Sequence, residues 1–198
     1  PACAEDRPSD LVSILAGAGD DIAGLRDHRR VAVEQTQLAY DLLLESGDGS
    51  SMSRLERWAV AAFVALLHAD ARAADHYLGG VREVSADVAL VVVRLAGEGA
   101  AAGPYGSYPA GPLSVEDVAG PDLAIDSGAA AALGDRLSAA LRHAHRLVLH
   151  PRDAAPAWLE DLAIAGWDRP GIVTLSQLVS FLAYQLRLVA GLRALQEA

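Results

Sequence analysis

The segment from Gly97 to Gly128 constrains this chain more than any other. Its density of Gly and Pro, above all in the run Gly103-Pro-Tyr-Gly-Ser-Tyr-Pro-Ala-Gly-Pro112, forbids a regular helix across it. A connection of this length without structure of its own is uncommon in a compact domain and frequently functional. Tyr105 and Tyr108 within it are therefore candidates to line a pocket or a subunit contact, where amphipathic rings recur; the plainer alternative is a packed surface loop.

On both sides of that segment the sequence reads as helix. Ser9 precedes a short apolar run, Leu11 to Ala18, that stops at Gly19, and a longer helix is predicted from about Arg29 to Glu45. The loop Ser46–Ser51 holds only Gly, Ser and Asp. Ser53 and Glu56 then form an S-x-x-E capping box that opens a helix through Ala59, Phe63 and Leu67. A further helix is predicted from Asp70 to about Tyr77, ending at Gly79-Gly80, and Ser85 caps the next, Ala86 to about Gly97. After the Gly/Pro segment come helices from about Leu133 to Leu149, from Pro156 to Gly166, and a long one after Asp168-Arg-Pro170, with Pro170 suited to the first turn. Val88 to Val93 is β-branched enough to be ambiguous, yet nothing alternates with period two between hairpin turns. The expected class is all-α, with one domain over residues 1–198 that includes an N-terminal segment 1–28 and the loop 98–128.

Composition removes several kinds of chemistry. Cys3 is the one cysteine in 198 residues, so this chain has no internal disulfide, Cys-based zinc site, C-x-x-C redox pair or iron–sulfur cluster of its own. All 16 basic residues are Arg, which excludes Schiff-base and P-loop lysines. The complete lack of Lys and Asn fits the codon bias of a high-GC bacterial genome. A net charge of −10 without a basic stripe argues against nucleic-acid binding, which draws on clustered positive charge. With 52% hydrophobic residues, the chain suits a helical protein that buries further surface between subunits. The first ten residues lack the basic-then-apolar pattern of a secretory signal, so a cytoplasmic location is expected. Gly171–Leu195 is long enough to span a bilayer, but Gln177, Gln185, Arg187 and Arg193 interrupt it, and a buried helix rather than a membrane contact is expected.

The histidines do not make a chelating pattern. His143, His145 and His150 are not spaced three or four apart, and a predicted helix break separates His68 from His76. No metal and no cofactor is implied. G-x-S-x-G is absent, and S-x-x-K cannot occur without Lys.

The segment Met52-Ser-Arg-Leu-Glu-Arg-Trp-Ala-Val-Ala-Ala-Phe-Val-Ala-Leu-Leu-His-Ala-Asp-Ala-Arg-Ala-Ala-Asp-His-Tyr77 resembles the active-site helix pair of the AhpD-like family, which includes alkylhydroperoxidase D and carboxymuconolactone decarboxylase. Leu141–Pro151, Leu162–Asp168 and the helix Ile172–Leu195 resemble the C-terminal helices of its "peroxidase-related" members, and the run Phe181–Arg193 in particular is similar to their closing helix. The Gly103–Pro112 run is similar to a subgroup labelled "CMD domain protein". The resemblance covers most of residues 29 to 195, and it implies an AhpD-like helical domain packed into oligomers, with further copies of itself or an AhpD-like paralogue as partner.

Family peroxidases carry a Glu, then twelve residues on the first Cys of a C-x-x-C, then a His four after the second Cys. A thiolate at a helix start attacks the peroxide, and the second thiol resolves the sulfenic acid as a disulfide. Here the ungapped alignment puts Trp58 at the Glu position, Asp70 and Ala73 at the two Cys and Tyr77 at the His. Sliding back one residue recovers His76 but gives Arg57, Ala69 and Arg72; sliding back two recovers Glu56 but gives His68, Ala71 and Asp75. No register supplies sulfur. A one-thiol peroxidase built on Cys3 would need a resolving thiol from another protein, and Glu5 and Asp6 would raise the Cys3 pKa. The resemblance therefore implies a scaffold without its dithiol peroxidase site, acting as a non-catalytic or heteromeric subunit. The alternative is a non-thiol enzyme or small-molecule binder built on Glu56, Trp58, His68, Asp70, Asp75, His76 and Tyr77, whose polar groups would otherwise merely cap and solvate a helix junction.

Overall fold

The computed structural model describes residues 10–45 and 51–197, so Cys3, Ser9 and most of the Ser46–Ser51 loop lie outside the described residues. The chain folds as helices α1 (Leu11–Ala16), α2 (Asp20–Asp27), α3 (Arg30–Tyr40), α4 (Arg54–Leu67), α5 (Ala71–Val84), α6 (Ala86–Glu98), α7 (Ser127–Leu149), α8 (Pro156–Ile164) and α9 (Arg169–Gln196). There is no strand among the described residues, and the protein is all-α. One isolated antiparallel bridge, Gly106 to Val118, closes the Gly/Pro segment on itself.

Side-chain caps set most of the helix starts. Asp10 accepts from the Ser13 amide and begins α1. Ser53 and Glu56 form the reciprocal capping box of α4, and Asp70, Ser85, Asp126 and Asp168 each accept from an amide of the first turn that follows. Val88–Val93 is helical within α6, as the Ser85 cap and the burial of Val88 and Val92 require. α3 runs into a π-helical turn, Asp41–Glu45, whose widened ring shifts the side chains beyond it out of the α-helical register.

Helix α4 is the axis of the molecule. Every residue from Glu56 to Ala65 is buried, and α5, α6, α7 and α9 pack around it. Ala59, Ala61, Ala62 and Ala65 let those neighbours approach closely, while Trp58, Phe63 and Val64 fill the gaps between them. Its buried first turn is charged, and its polar groups are satisfied: Arg57 donates to the Met52 and Leu43 carbonyls at 3.0 and 2.6 Å.

Several boundaries differ from the sequence expectation: α1 ends at Ala16 on the left-handed Gly17 instead of at Gly19, and α2 occupies a stretch expected to hold no helix. α5 does not stop at Gly79-Gly80 but continues to Val84. A Cβ at Gly80 would sit 2.2 Å from the Trp58 ring, so glycine is there to bring the α5 backbone against that indole, and packing overrides poor helix propensity. α7 starts at Ser127, behind the Asp126 cap, instead of near Leu133. It bends at Gly134, whose φ of 71° and ψ of 171° break the helical path.

The short α1 is held at its C-terminal end by side chains from elsewhere. Arg193 donates to the Leu15 carbonyl at 2.7 Å and Gln196 to that of Ala16 at 3.3 Å, both from the last turns of α9. α9 is long and apolar enough to cross a bilayer by length and composition alone, with 39% of its most apolar window buried in the fold. Its polar side chains bond inside the protein, Gln185 to Tyr77 and Arg193 to Asp70.

Gly80 and Gly79 separate packing from propensity. Gly80→Ala drives a methyl into the Trp58 ring and is expected to destabilise the fold by roughly 1–3 kcal/mol. Gly79→Ala, where a Cβ meets nothing within 4 Å, is expected to stabilise it by about 0.5–1 kcal/mol. Urea midpoints of the two variants should move in opposite directions.

Candidate functional site

The positions singled out in the sequence occupy three places. Glu56 lies at the first turn of α4, where one carboxylate oxygen completes the capping box and the other accepts from Arg136 Nε at 2.9 Å. Arg136 also donates to the Gly166 and Ser51 carbonyls, and its guanidinium lies 4.4 Å from the centre of the Trp167 ring. Glu56 thus ties α4 to α7 and to the α8–α9 connection, and its oxygens are committed to structure.

The second place is the junction of α4 and α5. His68 closes α4 with its Nδ1–H on the Val64 carbonyl at 3.0 Å. Asp70 caps α5 and receives a two-pronged contact from Arg193, at 2.8 and 3.1 Å, while 8% exposed. Asp70 therefore joins α5 to α9, and through Arg193 to α1.

Trp58, His76 and Tyr77 come together at the third, with centroid separations of 5.0 Å for His76 and Tyr77, 5.8 Å for Trp58 and His76 and 6.1 Å for Trp58 and Tyr77. Tyr40, at the end of α3, adds a fourth ring, 5.9 Å from His76. The Tyr40 hydroxyl donates to Glu45 at 3.1 Å and lies 3.0 Å from His76 Nε2. Because that single proton goes to the carboxylate, the phenol oxygen accepts from Nε2–H, which leaves Nδ1 as the basic nitrogen. Burial pushes the His76 pKa below its usual value, partly offset by Glu45, so the ring is neutral near pH 7. Burial, reinforced by Glu45, holds the Tyr40 phenol above its usual range. Tyr77 is fully buried, its phenol likewise raised by burial, and its hydroxyl donates to Gln185 Oε1 in a short hydrogen bond. Asp75 is exposed and outside this cluster.

Sequence reading missed Tyr40, Glu45 and Gln185. They come from α3, from the π turn and from α9, far from residues 52–77 in the chain. No sequence signal singles out the first two, since Leu38, Leu42 and Glu45 continue the helical spacing and the π turn at Asp41–Glu45 emerges only in the structure.

Tyr105 and Tyr108 brace the Gly/Pro segment from within. The Tyr105 ring fills the space over Gly120, where a Cβ would come within 2.2 Å, and stands 5.5 Å from His150. Tyr108 lies under the Arg152 guanidinium at 4.3 Å. Beside them opens a cavity of about 530 Å³ whose polar wall includes Asp117, Asp122, Arg146, His150 and Asp153, while neither tyrosine lines it.

His143 and His145 turn to different partners, Ser176 Oγ at 3.3 Å and the Gly99 carbonyl at 3.1 Å, as their spacing of two residues predicts. Both are buried. Desolvation, aided by Arg146, pushes His143 down to about 4, and desolvation lowers His145 as well. No group of three His, Cys, Asp or Glu is arranged to hold a metal ion among the described residues. No protein-family description and no curated protein matches this chain.

Two outcomes follow from these environments. A histidine whose folded pKa is depressed binds its proton more readily when unfolded, so its stabilisation is complete above pH 6.5 and is lost as the pH falls from 6.5 towards 4. For His143 the loss is expected to reach about 3 kcal/mol. Urea midpoints measured between pH 7.5 and 4.5 should fall steeply in the native chain and less steeply in His143→Leu. Tyr77→Phe strips Gln185 Oε1 of its buried donor and is expected to destabilise the fold by roughly 1–3 kcal/mol, read from thermal or urea unfolding.

Proposed function

We propose that this chain is an AhpD-like helical subunit that has lost the dithiol peroxidase centre and acts by assembling with further copies of itself or with an AhpD-like paralogue. The observation that carries this reading is the fate of the positions aligned with the family's active site. Asp70 is spent on Arg193 and on the α5 cap, Ala73 is fully buried, Tyr77 is bonded to Gln185, and Trp58 lies packed against Gly80. A peroxide would meet neither a thiol nor a nucleophile there.

Two exposed apolar stripes support assembly. On α9, Val173, Tyr184 and Leu195 recur every eleven residues, close to three helical turns, so they share one face. Val31, Leu38 and Leu42 stand out on the α3 segment, and Thr36 and Tyr184, with oxygens 3.3 Å apart, link the two elements. Exposed apolar side chains on two linked helices support contact with another chain.

A second reading draws on the Glu45–Tyr40–His76 relay. A neutral imidazole held by a phenol and a carboxylate is the equipment of a general base, and it would serve a non-thiol proton transfer on a small molecule. Alanine at His76 would then abolish turnover, whereas a pure assembly subunit would keep its mass and its partners.

Light scattering on size-separated full chain tests the main reading. The expected mass is a multiple of the single chain, lowered by joint Val173→Asp and Leu195→Asp substitution with unchanged circular dichroism, and no organic peroxide is consumed. A single-chain mass at all concentrations, together with no complex with an AhpD-like paralogue, would overturn it.

A further inference from the structure

One cavity runs against the charge of the molecule. The chain carries −10 overall, and the large cavity beside the Gly/Pro segment sets Asp117, Asp122 and Asp153 against Arg146. A smaller cavity of about 200 Å³, where the end of α4 and the start of α5 meet α9, reverses that balance. His68, Asp70, Arg187 and Arg193 line it, with Leu186 and Ala190 as its apolar wall. Two guanidiniums face one carboxylate.

The two arginines are not equivalent. Arg193 spends its charge on both oxygens of Asp70. Arg187 donates to the Ala183 carbonyl of its own helix at 3.0 Å and makes no ion pair among the described residues. His68 has its Nδ1–H committed to Val64, and its Nε2 makes no hydrogen bond among the described residues. Between His68 and Asp70, Ala69 holds a φ of 54°, a left-handed conformation unfavourable for a non-glycine residue. That bend sets His68 and Asp70 on the same cavity wall.

We propose that this cavity binds a small monocarboxylate, with the carboxylate on the Arg187 guanidinium and a short apolar tail against Leu186 and Ala190. A guanidinium presents paired donors that match a carboxylate in plane. Burial and the charge of Arg187 keep His68 below its usual pKa, while Asp70 acts in the opposite direction, so the imidazole is neutral near pH 7 and the site holds one unmatched positive charge. A monoanion fits that charge, and a phosphate dianion exceeds it. This inference stands apart from the assembly reading and does not depend on it.

The test is a titration of the full chain with sodium propionate at constant ionic strength, balanced by chloride, following the histidine ring C–H resonances by NMR. His68→Gln identifies the signal of His68. A saturable shift of that signal is expected, weakened roughly tenfold or more in Arg187→Gln through loss of a charge-assisted contact. Arg82→Gln, an exposed arginine outside the cavity, is expected to leave it unchanged. An equal response to chloride alone, an undiminished response in Arg187→Gln, or tighter saturation by inorganic phosphate would each overturn the proposal.

Discussion

The structure depends on the burial of α4. In a helix covered on all sides a charged side chain without a partner is costly, and α4 carries Glu56 and Arg57 inside its first turn. Those two residues are answered by the Ser53 capping box, by Arg136 and by the carbonyls of Leu43 and Met52. The answering groups come from α7 and from the segment that follows α3, so satisfying one helix start fixes where other parts of the chain must lie. Further along, the apolar run of α4 sets spacing instead of charge: alanines admit the neighbouring backbones and Trp58 requires a glycine opposite it.

The same economy governs the junction of α4 and α5. A helix N-terminus is where a thiolate would be stabilised by the first-turn amides. Here Asp70 accepts the Ala73 amide itself and takes Arg193 as its counter-ion. A side-chain cap and a nucleophile compete for the same donors, so the residue that starts α5 can do one job or the other. Under the AhpD-like reading, conversion of the site to structure is therefore a local exchange: an aspartate cap takes over where a cysteine would stand, and the neighbouring volume fills with Trp58, Ala73 and Tyr77.

Much of the fold was legible because its helix ends are written in short-range chemistry. Ser53 with Glu56, Ser85 and Asp168 each act within a few residues, so sequence order is spatial order there. The ends that were misread turn on tertiary contact: Gly79-Gly80 reads as a stop until the Trp58 indole is known to lie against it, and the start of α7 depends on Asp126 at the edge of a segment that otherwise suggests only loop. The site was less legible still. Residues 52–77 supply Trp58, His76 and Tyr77, but what each does is decided by Tyr40, Glu45 and Gln185, brought in by elements remote along the chain. Spacing within one helix pair cannot reveal a partner from a third helix.

The buried aromatic cluster unites these threads. Trp58, Tyr77 and Gln185 bring their polar atoms into the interior, and the indole Nε1 and the amide Nε2 have no acceptor among the described residues. Uncompensated donors are costly in an apolar core, so a sequence selected for packing alone would favour apolar residues at these positions. His76 differs in having one nitrogen anchored through Tyr40 to Glu45, while the other makes no hydrogen bond among the described residues. Anchoring fixes the tautomer, and burial keeps the ring uncharged. A neutral imidazole whose proton is pinned on the far side presents its lone pair in a single direction, which is a property of position rather than of stability. It is this feature, rather than the filled positions around Ala73, that keeps proton transfer open to a chain without a usable thiol pair.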